Sequence, residues 1–179
     1  MIVEAFILGI IIRFLSKKKF DTLSVNLKGS GIFLAAIAIK FLLFITGRFY
    51  LGALSIYAAK YYYYLDVVFL FLVTAFLIYN FKLKFVPLLV VGSAMNLLAT
   101  ALNGYMPVTS NALYASQNIK LIFTLENNLI FSHGINDTPK LKIFCDIIPI
   151  NYFGYLGKVI SLGDIVMAVG IFLIIGFWE

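Results

Sequence analysis

The chain has 179 residues, 63% of them hydrophobic and 12% charged, with a net charge of +6 at neutral pH. Soluble domains carry about 25% charged residues, so a water-soluble globular domain is excluded; nucleic-acid binding is excluded too, because the basic residues form no long tract interleaved with aromatics. A single cysteine, Cys145, has no partner for an internal disulfide, and no cluster of Cys and His has the spacing of a metal site.

The apolar sequence suffices for about five spans of roughly 20 residues. It predicts one integral membrane domain over residues 1–179, an all-α polytopic helix bundle. The first span, residues 2–15, is short and carries Glu4 and Arg13. Nine positions apart, these two fall on opposite helix faces and are not expected to pair. Each is expected near an interface or against another helix, and snorkelling accounts for Arg13 and for Lys40 of the second span, residues 29–46. No basic n-region precedes the first apolar run and no small-x-small site follows it, so it is expected to be retained. Tyr61 to Tyr64 suit an interfacial aromatic belt ahead of the third span, residues 65–81. The fourth, residues 86–104, takes Pro87 in its first turn, where a missing N–H costs nothing. The fifth covers residues 162–178.

Charge orients these spans. Lys17, Lys18, Lys19 and Lys28 fill the first loop, and Lys82 and Lys84 the tight third-to-fourth connection. Under a five-span alternation the two loops share a side, which the positive-inside rule makes cytoplasmic. The expectation is a bacterial plasma-membrane protein with its N-terminus outside, Glu179 inside and residues 105–158 as an external loop. Within that loop Ser110 to Asn118 is small and polar, and residues 120–124 and 129–131 alternate weakly, as short strands or an amphipathic lid would. Gly134-Ile135-Asn136-Asp137 before Thr138-Pro139 reads as a turn. The one histidine, His133, reads as a surface or turn residue.

Polar groups gather at one end of the bundle. Gly92, Asn96, Thr100 and Asn103 recur at steps of four, four and three, which sets them on one helical stripe. Amides in hydrocarbon need partners, so the stripe faces the bundle interior, either as helix–helix glue or as substrate-positioning groups. Ser161-Leu162-Gly163-Asp164 opens the fifth span as a capping-box variant, with Ser161 at the N-cap and Asp164 at the third position. Asp164 also lies near the external face, eighteen positions after Asp146. Two carboxylates brought together at a dehydrated interface share a proton, which supplies one general base and one general acid. Otherwise Asp146 is a turn residue before Pro149. Spacing alone does not bring the two carboxylates together.

Two resemblances follow from these residues. Asn103-Gly104-Tyr105-Met106-Pro107-Val108, Phe144-Cys145-Asp146-Ile147-Ile148-Pro149-Ile150 and Ser161-Leu162-Gly163-Asp164-Ile165-Val166 resemble an uncharacterised family of small multi-pass membrane proteins of Gram-positive, clostridia-like bacteria, a domain of unknown function. That resemblance covers essentially the whole chain; Tyr105 stands where a Gly-Arg-like pair is expected. More distantly, Gly92-Ser93-Ala94-Met95-Asn96-Leu97-Leu98 with Gly104-Tyr105, and Leu162-Gly163-Asp164 with Gly170 and Leu173-Ile174-Ile175, resemble the third and fourth helices of lipoprotein signal peptidase, signal peptidase II. This similarity implies that spans two to five match its four helices, that Asp146 and Asp164 form the catalytic pair, and that Asn96 is a supporting amide. The Asp-Arg pair of that family falls on Ala99 and Thr100 here, and its first-helix Asp-x-x-x-Lys element is absent. Extended collinearly, the third-helix match puts the first catalytic Asp near Val108, so Asp146 corresponds only if residues 109–145 are an insertion.

Two functions are open at this stage. One is an aspartic intramembrane peptidase-like activity on a lipid-proximal substrate such as a lipopeptide, with Asp146 and Asp164 catalytic and Asn96, Asn103 and Thr100 binding substrate beneath a loop that acts as a lid. The other is a non-catalytic accessory, lipid-binding or transporter-associated subunit, whose partners are the lipid bilayer and another membrane protein. Neither calls for a metal or a cofactor. A transporter in its own right fits less well, because the chain shows no internal repeat.

Overall fold

The computed structural model describes residues 1–17, 27–153 and 156–178. Lys18, Lys19 and Glu179, which bear on the orientation, and Tyr155 lie outside the described residues. Long apolar runs form helices: α1 (Ile2–Leu15), α2 (Ser30–Arg48), a short α3 (Ala53–Lys60) leading into α4 (Tyr62–Tyr79), and α5 (Val86–Asn103). Pro87 lies at the entry of α5, and Gly104 ends it in the left-handed conformation (φ +85°) that a glycine adopts without strain. A small mixed region follows: β1 (Met106–Val108), α6 (Ser110–Ala115), α7 (Ile119–Glu126), β2 (His133–Ile135), a 3₁₀ turn (Lys142–Phe144), β3 (Ile148–Ile150) and β4 (Lys158–Ile160). The last helix is α8 (Leu162–Phe177). The protein is thus largely α-helical.

Three of these helices, α2, α4 and α5, are long and apolar enough to cross a membrane. The 14 residues of α1 and the 16 of α8 give rods of about 21 and 24 Å at the helical rise, short of a hydrocarbon core of about 30 Å. Of five expected spans, three reach full spanning length. Laterally, α8 lies between α1 and α5, and α4 between α5 and α2. The outward faces are apolar, with Phe14, Leu34, Phe41, Phe44 and Phe71 exposed, whereas Asp66, Thr74, Asn80, Ser93 and Thr100 are buried. That inversion of the usual soluble pattern is consistent with a membrane protein.

Two glycines set the distance between α5 and α8. A Cβ on Gly92 would come within 2.5 Å of the Gly163 carbonyl oxygen, and one on Gly163 within 2.7 Å of the Gly92 carbonyl oxygen and into the Asn96 amide. The backbones therefore touch, as small residues permit in membrane helices.

The charges of the apolar helices find partners within the protein, and Arg13 does not snorkel. Arg13 is fully buried, and its Nη1 donates to the carbonyls of Ile175 (3.2 Å) and Trp178 (3.1 Å). These oxygens, at the C-terminal end of α8, lack intrahelical partners, and a cation there also suits the helix dipole. Lys40 donates to Asp66 Oδ1 at 2.7 Å and lies 4.9 Å from the centre of the Phe69 ring. Glu4 pairs with Lys158 and with the N-terminal amine rather than with Arg13. In each case a partner on another helix or strand satisfies the charge within the protein. Replacing Arg13 by Leu should cost about 2–4 kcal/mol, because the desolvated carbonyls lose charged donors. Thermal unfolding in detergent would read this as a lowered Tm, and an unchanged Tm would mean that the cap contributes nothing.

In the mixed region the structure chooses between the strand and amphipathic alternatives for residues 120–124 and shifts the expected turn. Residues 119–126 form a helix because Asn118 caps it, its Oδ1 accepting from Leu121 N at 3.0 Å, and because Leu121, Ile122 and Leu125 pack on Val108 and Leu113. Residues 110–115 are helical as well. Gly134 and Ile135 belong to β2, so the turn starts only at Asn136, whose Oδ1 accepts from Thr138 N. β1 and β2 pair in parallel, with Met106 opposite His133 and Val108 opposite Ile135. β3 and β4 pair antiparallel, with Ile148 opposite Ile160.

Candidate functional site

Asp164 is placed by two local devices. The Ser161 side chain accepts from Asp164 N (3.0 Å) while Asp164 Oδ2 accepts from Ser161 N (3.1 Å), a reciprocal capping box that opens α8. Its other oxygen, Oδ1, accepts from Asn96 Nδ2 at 2.9 Å, and Asn96 Oδ1 in turn accepts from the Ser161 hydroxyl at 2.9 Å. The Gly92–Gly163 contact brings Asn96 within reach. Asn96, Ser161 and Asp164 form a closed network in which every side-chain oxygen has a donor.

Asp146 arrives by a longer route. After β1 the chain leaves through α6 and α7, returns along β2, and passes the 3₁₀ turn before reaching Asp146. There its N–H donates to the Pro107 carbonyl (2.9 Å) and its carbonyl accepts from Thr109 N (3.1 Å), a parallel bridge that sets Asp146 beside Val108. Residues 109–145 are thus an excursion that closes on itself, and it ends with Asp146 beside Val108.

Both carboxylates line one cavity of about 430 Å³ at the head of the bundle, with Asn96, Thr100, Ser132, His133, Lys40 and Asp66. On the α2–α4 side Leu43, Phe44 and Leu70 line it beside Lys40, Tyr62 and Asp66 of the same two helices, so apolar and polar groups are mixed there. Asp146 is 4% exposed. Its Oδ1 has no hydrogen-bond partner among the described residues, and its Oδ2 lies 3.5 Å from His133 Nε2. Asp146 and Asp164 are not hydrogen-bonded to each other among the described residues, but the charge on Asp164 acts on Asp146. Desolvation first, and that charge second, push the Asp146 carboxyl up to about 8. The His133 ring faces the cavity, and burial lowers its affinity for a proton below the ordinary imidazole value, against the opposing pull of Asp66.

The remaining residues of the stripe divide. Thr100 lines the cavity and is buried against Met106, with its Oγ1 4.0 Å from the sulfur. Asn103 is occupied elsewhere: its Nδ2 donates to the carbonyls of Ala99 and Lys140, and its Oδ1 accepts from Lys140 N. It ties the excursion to α5 and is absent from the cavity lining. Sequence reading missed Ser132, His133 and the Lys40–Asp66 pair as cavity groups. Asp66 carried a signal, being a lone carboxylate inside an apolar helix; Ser132 and His133 carried none. Among the described residues no group of three or more His, Cys, Asp or Glu is placed to hold a metal ion.

The raised Asp146 carboxyl makes stability depend on pH. The unfolded chain releases this proton near 4 and the folded chain near 8. The stabilisation is fully present below about 4 and is lost as pH rises through 8, at about 1 kcal/mol per pH unit in between. Thermal unfolding from pH 5 to 9 should show a falling Tm that Asp146→Asn flattens. Equal slopes in the two proteins would contradict a buried neutral Asp146.

No curated protein and no solved structure matches the chain. The model of a family of unknown function, DUF5317, matches residues 24–176, from the approach to α2 through nearly the whole of α8 and including every cavity residue, so the chain belongs to that family.

Proposed function

We propose that the protein is a bacterial plasma-membrane aspartic peptidase that cleaves a lipid-proximal peptide substrate at its external face. The observation that carries this is a pair of carboxylates in opposite environments on one cavity. Asp164 accepts two hydrogen bonds, whereas Asp146 is buried and holds its proton to about 8. A carboxyl that keeps its proton, set on one cavity with a second carboxyl in a polar, hydrogen-bonded environment, supplies an acid and leaves the second as base. Asp164 takes a proton from water as the water oxygen attacks the scissile carbonyl, and Asp146 gives its proton to the carbonyl oxygen. Collapse of the tetrahedral intermediate breaks the C–N bond, the amine leaves with the proton that Asp164 took, and the proton on the intermediate's oxygen returns to Asp146. Asn96 holds Asp164 in place. Thr100 lines the cavity, and Leu43, Phe44 and Leu70 offer apolar contacts to a substrate that stays in the bilayer.

Orientation supports the external placement. Lys28 is joined to Asn80 at the bundle end that also carries Lys82 and Lys84, which the positive-inside rule makes cytoplasmic; the cavity lies at the opposite end. The test is cleavage of a synthetic diacylglyceryl peptide by the purified protein in detergent or vesicles. Product formation would support the reading, and an intact peptide at micromolar enzyme would reject it. A second reading, a non-catalytic accessory subunit, draws on the completeness of the Asn96–Ser161–Asp164 network, which serves helix capping without any chemistry. Under it Asp164→Ala, which removes both the cap oxygen and the acceptor for Asn96, would fail to accumulate instead of accumulating inactive.

A further inference from the structure

The excursion over residues 109–145 closes one side of the cavity, and its return strand brings two side chains that the proposed chemistry does not use. Ser132 Oγ lies 2.7 Å from His133 Nδ1, and His133 Nε2 lies 3.5 Å from Asp146 Oδ2. A neutral imidazole carries one proton, on either nitrogen, and a hydroxyl both donates and accepts. This chain therefore has two self-consistent arrangements. With Asp146 protonated, its O–H donates to Nε2 and Nδ1–H donates to the Ser132 oxygen. With Asp146 ionised, Nε2–H donates to the carboxylate and the Ser132 hydroxyl donates to Nδ1. The ring keeps a partner on both sides in each state, and burial opposes its becoming an imidazolium.

We propose that Ser132 and His133 form a tautomeric relay that carries the proton of Asp146 to and from cavity water. In the outward direction, Asp146 Oδ2 gives its proton to Nε2, Nδ1 gives its own to Ser132 Oγ, and the hydroxyl releases its original proton to water. One proton leaves the carboxyl, one appears in solvent, and the ring has changed tautomer. The return runs in reverse. The 3.5 Å separation is longer than a settled hydrogen bond, as catalytic contacts commonly are before substrate binds. Besides Asp146, the charged groups that act on the ring are Asp66 on α4, Lys40 on α2 and Asp164 on α8. Asp66 is paired with Lys40 and Asp164 with Asn96, which leaves Asp146 as the group whose proton the ring follows. His133 is in this sense a positioning residue. The use of the proton rests on the peptidase reading; the relay itself does not.

The chain has a single histidine, so in the full-length protein without a histidine tag every imidazole ¹⁵N resonance belongs to His133. Between pH 5.5 and 9.5 the ring should pass from the Nδ1–H to the Nε2–H tautomer, with a midpoint that follows Asp146, and Asp146→Asn should hold one tautomer throughout. A ring that becomes an ordinary imidazolium without changing tautomer, or that ignores Asp146→Asn, would overturn the relay. Should Asp146→Asn not fold, the infrared band of the protonated Asp146 carboxyl serves instead. His133→Asn should move its titration by about one pH unit, and an unmoved band would overturn the relay equally. A protein that shows the tautomer change yet cleaves no lipopeptide keeps the relay and loses the peptidase reading. Cleavage with an indifferent ring does the opposite.

Discussion

Asp164→Asn should accumulate as a folded protein and lose at least about three orders of magnitude in lipopeptide cleavage. Removing a group that acts as base in the rate-limiting step costs roughly this much or more. The fold is expected to survive because asparagine keeps an acceptor oxygen for the capping box, and because Asn96 can turn its amide over so that its oxygen accepts from the new NH2 group while its Nδ2 faces the Ser161 hydroxyl oxygen. What disappears is the charge. That charge is the second cause of the raised Asp146 carboxyl, so Asp146 in the variant should release its proton at lower pH, and this is measurable whether or not any substrate is cleaved. Asp146→Asn should be equally inactive, since an amide has no proton to give. Asp137→Asn is the control. Asp137 is an exposed carboxylate of the same region that accepts from Ser110 N and Oγ, both at 2.8 Å, and lies outside the cavity. It should leave cleavage within about twofold, as surface changes away from a site do. Wild-type rates from folded Asp146→Asn or Asp164→Asn would remove both residues from the chemistry.

The same division sets the pH profile. Asp146 must hold its proton to act as acid, so cleavage should decline on the alkaline side with an apparent midpoint near 8. Stability and activity would then fail together as the medium becomes alkaline, because one proton underlies both.

How much of this was legible in the sequence depends on how far apart in the chain the partners lie. The capping box at Ser161 and Asp164 spans three residues and was readable from spacing, as were the bounds of α1 and the stripe of Gly92, Asn96, Thr100 and Asn103. Helical periodicity is a local signal, and these residues obey it. The partners of Arg13, Lys40 and Glu4 were not legible, because each lies on an element that reaches it only through tertiary packing. Snorkelling was the natural assumption for a cation in an apolar segment, but Arg13 instead meets the carbonyls of a helix more than 160 positions away. Asp146 shows the limit most sharply. Its place beside Val108 depends on a strand pairing across the whole 109–145 excursion, and nothing in the intervening composition announces that the chain will return. His133 followed the same path, so it read as a loop residue although its ring faces the carboxyl of Asp146.

The largest loss of stability is expected from Gly163→Val, and the reason joins packing to the site. A Cβ at Gly163 would sit 2.7 Å from the Gly92 carbonyl oxygen and overlap the Asn96 amide. Rigid backbone lies on one side and a hydrogen-bonded side chain on the other, so neither gives way cheaply. Valine adds two further carbons, and relief requires α5 and α8 to separate. That separation breaks the Asn96–Asp164 and Asn96–Ser161 hydrogen bonds. Overpacking and the lost bonds together should cost about 3–5 kcal/mol, and Gly163→Ala should fall between valine and wild type. Gly31 is the comparison: a Cβ there meets nothing within 4 Å, so Gly31→Ala on α2 should be neutral or stabilise by about 0.5–1 kcal/mol through helix propensity. Thermal unfolding in detergent separates the two positions, and a Gly163→Val protein as stable as wild type would show that the contact between the helices is not as close as described. If that variant folds at reduced stability, Asp164 has lost its amide partner while keeping its own helix cap. Any loss of cleavage beyond the loss of folded protein then measures what Asn96 contributes to the carboxylate it holds.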